Sequence, residues 1–250
     1  MEKATYFRLE RLSAWSGYLL LVAFYVAFAC AGILSPISPT MGQQGIHDFL
    51  VHHHTGILVG TVIIVLAVPF EYPYVVVTSL QLRRIEGGWG LISMLQLLSG
   101  VVAPVGFFFP MAILSAAAFR PGQHSLDVLS AMSDIFWLML VGNACIQVLQ
   151  VWSIAFGALI DKRPKPVFPR WYGWLNVVLG VLFIPGAFVF LTKTGPFAWN
   201  GLLAYLIPNL AYLVWKLSTP IVLLRAIKGE AAEEVAEQAE PVASGGASVP

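Results

Sequence analysis

Long apolar runs recur along the chain at 13–34, 55–80, 89–118, 133–160, 171–191 and 198–227. Each is about the 20 residues that an α-helix needs to cross the hydrocarbon of a bilayer. The pattern predicts an all-α fold, a polytopic bundle of six transmembrane helices spanning residues 1–228. Even parity places both termini on one side of the membrane. The direction follows from the basic residues that flank the runs. Lys3, Arg8, Arg11, Arg83, Arg84, Lys162, Arg163, Lys165, Arg170, Arg225 and Lys228 fall on one side, against Arg120 and Lys193 on the other. Positive charge is retained inside, so both termini are expected in the cytoplasm.

The segments between the runs are short. No connection is long enough for a second folded domain, and no internal repeat points to an inverted-repeat transporter. The longest, 35–54, opens with the turn signals Ser35-Pro36 and Ser38-Pro39. It continues into an amphiphilic piece, Ile46 to Val51, suited to lying along the interface. Residues 229–250 are mostly Ala, Glu, Gly, Ser and Pro, with little apolar bulk to offset the entropy of ordering. They are expected to form a disordered acidic cytoplasmic tail. Trp15, Trp89, Trp171 and Trp199 stand near the ends of runs, where an indole can straddle headgroup and acyl chain.

Composition sharpens this picture. Hydrophobic residues make up 58% of the chain and charged residues 11%, with a mean hydropathy of +0.79, far from a soluble domain of this length. The net charge is +1 and the basic residues cluster at helix ends, which argues against a nucleic-acid partner. Cys30 and Cys145 sit in separate apolar runs and read as packing residues. The first run is too long for a secretory leader and lacks its small-residue cleavage site, so it is expected to be a retained helix.

Candidate chemistry lies where polar side chains meet hydrocarbon, because an ionisable group there needs a partner or water. Glu71 falls in the second span between Pro69 and Pro73, and Lys216 in the sixth, four residues before Pro220. Along an ideal helix Glu71 lies roughly 18 Å from Arg83, and Lys216 roughly 13 Å from Arg225. Gln96 and Gln150 reach comparable depth, with Gln147 a turn deeper and Asn176 nearer the surface, so several helices contribute to one polar layer. The prolines flanking Glu71 free backbone acceptors and kink the helix, and such breaks at depth line protein-filled or wet cavities. Two readings of Glu71 stand side by side: a proton-carrying acid or acceptor in an internal pocket, and a buried ion pair with Lys216 that fixes helix packing. For single amides, interhelical hydrogen bonding is the simpler role.

On the opposite side His47, Asp48, His52, His53 and His54 crowd the start of the second span, with His124, Asp127 and Asp134 in the facing connection. His47, Asp48, His52, His54, His124 and Asp134 form a candidate metal set, but Asp48 and His52 share a helix face that His47 and His54 do not. Imidazoles at headgroup level are the alternative. Asp161 to Arg170 is a stiff basic connector suited to anionic lipid headgroups. Lys193 to Gly201 is a tight turn with Gly and Pro punctuation, best explained by its geometry.

Phe168-Pro169-Arg170-Trp171, Lys193-Thr194-Gly195-Pro196-Phe197-Ala198-Trp199-Asn200-Gly201 and Arg83-Arg84-Ile85-Glu86 resemble motifs of an uncharacterised group of bacterial six-span membrane proteins. The likeness extends from the first helix to the sixth and omits the acidic tail. It implies architecture and a bacterial inner-membrane setting, and it transfers no catalytic residue. Three functions fit the residues: binding or transport of a small, mostly apolar molecule in a polar intramembrane pocket near Glu71; a membrane-embedded enzyme acting on a lipid-like or terpenoid substrate, with Glu71 as acid or the outer His/Asp set holding a metal; and an accessory subunit whose polar layer specifies packing. The sequence names no cofactor.

Overall fold

The structure, a computed structural model, describes residues 3–120 and 122–239. Nine α-helices account for most of them: α1 (Lys3–Cys30), α2 (Gln43–Ala67), α3 (Glu71–Glu86), α4 (Leu91–Val102), α5 (Val105–Phe119), α6 (Leu126–Gly142), α7 (Gln147–Ile160), α8 (Arg170–Phe183) and α9 (Ile207–Ala239). There is no strand among the described residues. Joined through short breaks, these helices make six spans long and apolar enough to cross a membrane: Lys3–Cys30, Gln43–Glu86, Leu91–Phe119, Leu126–Ile160, Arg170–Leu191 and Leu202–Glu237. The chain is an all-α, multi-pass integral membrane protein. Large apolar side chains such as Val22, Leu66, Leu98, Phe156, Val178 and Leu210 face outward, as a bundle immersed in hydrocarbon requires.

The spans pack in chain order. Toward the basic connectors, α1, α3, α4, α7, α8 and α9 each contact the next, and α9 returns to α1, closing a ring. Toward the histidine-bearing side, α1, α2, α5 and α6 follow one another, and the ends of the fifth and sixth spans complete the circuit. Close approach along the α1–α2 seam depends on Gly56 and Gly60, where a Cβ would run into the carbonyl oxygens of Cys30 and Ala27. This is the small-xxx-small spacing that brings membrane helices together.

Every span after the first is broken. A 3-10 turn at Val68–Phe70 contains Pro69, and Pro104 precedes α5 in the third span. A 3-10 stretch at Ile184–Leu191 starts with Pro185, and a π turn at Leu202–Leu206 stands just before Pro208. In each case proline removes a donor and crowds the preceding turn. The fourth span breaks at Asn143–Ile146 without a proline. There the side chain of Asn143 occupies the space over Gly106, where a Cβ would overlap its amide.

Three expectations need correction. Residues 229–239 are helical, continuing α9. Lys3 pairs with Glu234, Arg84 with Glu230 and Glu233, and the Gln81 amide donates to Glu230 at 2.7 Å. The acidic residues that argued for disorder thus find basic partners on α1 and α3, while 240–250 lie outside the described residues. The same contacts bring the start of α1 against the end of α9. The second helix begins at Gln43, so residues 43–54, read from sequence as part of a connection with an interfacial piece, belong to the second span. Trp199 is buried, its indole donating to the Ile37 carbonyl at 2.8 Å and stacking on Trp137, so it pins the Lys193–Gly201 turn instead of anchoring in headgroups.

Candidate functional site: a sealed ion pair and a cavity beside it

Pro69 and Pro73 bracket the start of α3, and the resulting turn aims Glu71 into the bundle. Lys216 reaches it from α9, with Nζ 2.5 and 2.6 Å from the two carboxylate oxygens. Both side chains are at most 3% exposed. Nζ also lies 4.2 Å from the ring centre of Tyr74, 4.8 Å from Trp215 and 5.7 Å from Tyr212, so aromatic faces take up the directions the carboxylate leaves open. The pair is enclosed, and neither Glu71 nor Lys216 lines the cavity described below. Of the two readings of Glu71, this geometry matches the buried ion pair with Lys216 that fixes how two helices pack. Desolvation of either charge alone is so unfavourable that two helices supplying opposite charges at matching depth hold each other instead.

The amide layer divides. Gln96 on α4 accepts from the Ser79 hydroxyl of α3, and Gln150 of α7 packs over Gly100 of α4. Asn176 donates back to the Tyr172 carbonyl at 2.8 Å, and the Tyr172 hydroxyl donates to Thr219 at 2.5 Å, which joins α8 to α9. These groups are fully buried and stitch the closed ring. Gln147 stands apart from them. It borders a partly open cavity of about 60 Å³ that Tyr212, whose ring centre is 5.7 Å from Lys216 Nζ, also lines.

That cavity is where the helix breaks converge. Asn143, Ala144 and Gln147 come from the interruption of the fourth span, Phe183 from the end of α8, and Ala204, Tyr205, Pro208, Asn209 and Tyr212 from the interrupted sixth span. Phe24 and Phe28 of α1 and Phe107 of α5 complete an aromatic wall. Two of its lining residues carry a buried polar atom with no partner, the Gln147 side-chain oxygen and the Tyr212 hydroxyl. The Asn209 oxygen accepts from the Tyr25 hydroxyl at 2.8 Å, which leaves its amide hydrogens for another partner. A guest here would meet an acceptor, donors and aromatic faces, but no charge. Sequence reasoning passed over Asn143, Asn209 and Tyr212. The available signal was a Gly-Asn pair inside an apolar run and a Pro-Asn pair shortly after a glycine turn.

The proposed metal ligands do not converge. His47 Nδ1 stands 3.1 Å from Asp48, which also accepts from Gln44. The His52 ring lies against His53, and His54 is beside Thr55. His124 borders a separate groove with Arg120. Among the described residues, no three His, Cys, Asp or Glu side chains are grouped to hold an ion, and Asp134 joins none of the others. A helix separates the histidine directions by its 100° step, which one turn of chain cannot reconcile.

In the basic connector Asp161 accepts from the Val167 amide at 2.8 Å and from Arg163. Burial alone would raise this carboxyl, but the Arg163 guanidinium and the two backbone amides outweigh it and hold it below the usual aspartate range. Lys162, Lys165 and Arg170 stay exposed. The site and fold together define a polytopic helical membrane protein with a charge-locked core and an uncharged cavity. No protein-family model, no curated protein and no solved structure matches the chain.

Proposed function

We propose that the protein binds a small, mostly apolar molecule within the membrane, its polar end seated in the cavity between Gln147, Asn209 and Tyr212. The observation that carries this reading is a pair of unpartnered buried polar atoms beside a void with phenylalanine walls. Unsatisfied groups of this kind cost about 1–3 kcal/mol each, and a ligand offering a hydroxyl or carbonyl would remove that cost. A volume of about 60 Å³ admits a few waters or the head of a larger molecule, so the apolar remainder must extend through the open side. The distribution of positive charge on the connectors supports an orientation with Lys3 and Glu234 at the cytoplasmic face, and the resembling sequences support a bacterial inner membrane.

Glu71 and Lys216 serve this reading as a lock between α3 and α9, not as proton carriers. The test is extraction and mass spectrometry of small molecules that co-purify with the protein. Wild type should retain a discrete compound, and a variant with the cavity filled by Ala144→Phe should not. The sealed pair also favours a second reading, a structural subunit of a larger membrane assembly. Recovery of a stoichiometric protein partner, with no bound small molecule, would select it.

A further inference from the structure

A groove of about 530 Å³ runs over the outer surface of the bundle between α2 and α5, sharing no lining residue with the cavity described above. Thr61 and Val65 form one bank, and Phe108 and Phe119 stand at either end of a floor containing Ala112 and Ala116. Thr61 donates its hydroxyl to the Ile57 carbonyl at 2.8 Å and also reaches Met111, so it offers the groove no free donor. Arg120 and His124 stand together at one end, on the side facing away from the basic connectors.

We infer that this groove holds one acyl chain of an anionic phospholipid, with its phosphate on Arg120 and His124. From Phe108 to Arg120 the helix rises about 18 Å, close to the roughly 15 Å depth of one hydrocarbon leaflet. The cationic end therefore falls at headgroup level and the apolar trough below it, the layout of a single lipid molecule standing in its leaflet. Arg120 has no carboxylate partner among the described residues, and its planar fork suits a phosphate. The lining contains no carboxylate to receive an ammonium headgroup, which selects an anionic lipid over a zwitterionic one. Arg120 is also one of very few basic residues on this side, in a chain that otherwise places them opposite.

Native mass spectrometry of the full chain, released from mixed micelles holding equal phosphatidylglycerol and phosphatidylcholine with the same acyl chains, tests the assignment. Wild type should retain phosphatidylglycerol with about a tenfold preference, the scale of one charge-assisted contact. Arg120→Gln should bring that preference to near unity, and Lys193→Gln, on the same side but outside the groove, should leave it intact. Ala116→Trp should release both lipids by filling the trough. Equal retention of the two lipids by wild type, or equal loss of preference in the Arg120 and Lys193 variants, would overturn the inference.

Discussion

The half of the bundle near the basic connectors and the half facing away from them use the same kinds of polar side chain to opposite effect. In the first, continuous helices close a ring, and Glu71, Lys216, Gln96, Gln150 and Asn176 are all at most 3% exposed and none of them lines the cavity. In the second, interrupted helices hold Gln147, Asn143 and Asn209 around a void. Unpartnered atoms occur in both, since neither amide atom of Gln150 has a partner. Room is what separates them. A buried amide in a filled space contributes packing specificity at modest energy, whereas the same group beside a cavity is a contact awaiting a guest. Tyr212 belongs to both halves: its ring centre lies 5.7 Å from Lys216 Nζ, it lines the cavity, and its buried hydroxyl has no partner.

The largest effect that would sharpen this contrast comes from breaking the ion pair on one side only. Lys216→Ala leaves Glu71 buried and uncompensated, and is expected to cost about 3–5 kcal/mol, read as a fall in thermal unfolding temperature in detergent. The double variant Glu71→Gln with Lys216→Met should recover most of that loss, which a proton-carrying role would not allow without loss of function.

Next in size is overpacking of the α1–α2 seam. Gly60→Val forces a side chain against the Ala27 carbonyl, where a Cβ already finds no space, and should destabilise by about 1–3 kcal/mol. The cavity behaves in the reverse sense. Gln147→Leu removes an unpartnered buried oxygen, so ligand-free protein should unfold at the same or a higher temperature, by up to about 1–3 kcal/mol. Thermal protection by a bound compound should disappear at the same time. A cavity that is merely a packing defect would show the first change without the second.

The smallest effect concerns the connector. Because folding lowers the Asp161 pKa, its contribution to stability is complete above the ordinary aspartate value. It declines as the pH drops through that value and is gone below the folded one, where both states carry the proton. Protection of the Val167 amide from hydrogen exchange, taken relative to its intrinsic rate at each pH, should fall over that acidic window in wild type, and Asp161→Asn should show reduced protection at neutral pH.

Much of the fold was legible in the sequence because lipid leaves so little choice: apolar length sets the spans and a backbone with no water must be helical. Glu71 and Lys216 were found because a charge at depth demands an explanation, and the two prolines beside Glu71 marked the break correctly. What those prolines did not reveal was which side of the break had space. That depends on how Tyr74, Tyr212 and Trp215 surround Lys216, a matter of three helices that no single run encodes. Asn143 was missed because its span breaks without a proline, through an amide resting over Gly106 on another helix. The helical 229–239 segment was missed for a related reason, since its order comes from Arg84 and Lys3, both remote in sequence.

The division of labour between lock and cavity is tested most directly by identifying, with mass spectrometry, the small molecule that co-purifies with wild type and with two double variants. The Glu71→Gln, Lys216→Met protein should keep it, and the Gln147→Leu, Tyr212→Phe protein should lose it. Retention by the cavity variant together with loss from the ion-pair variant would contradict the account.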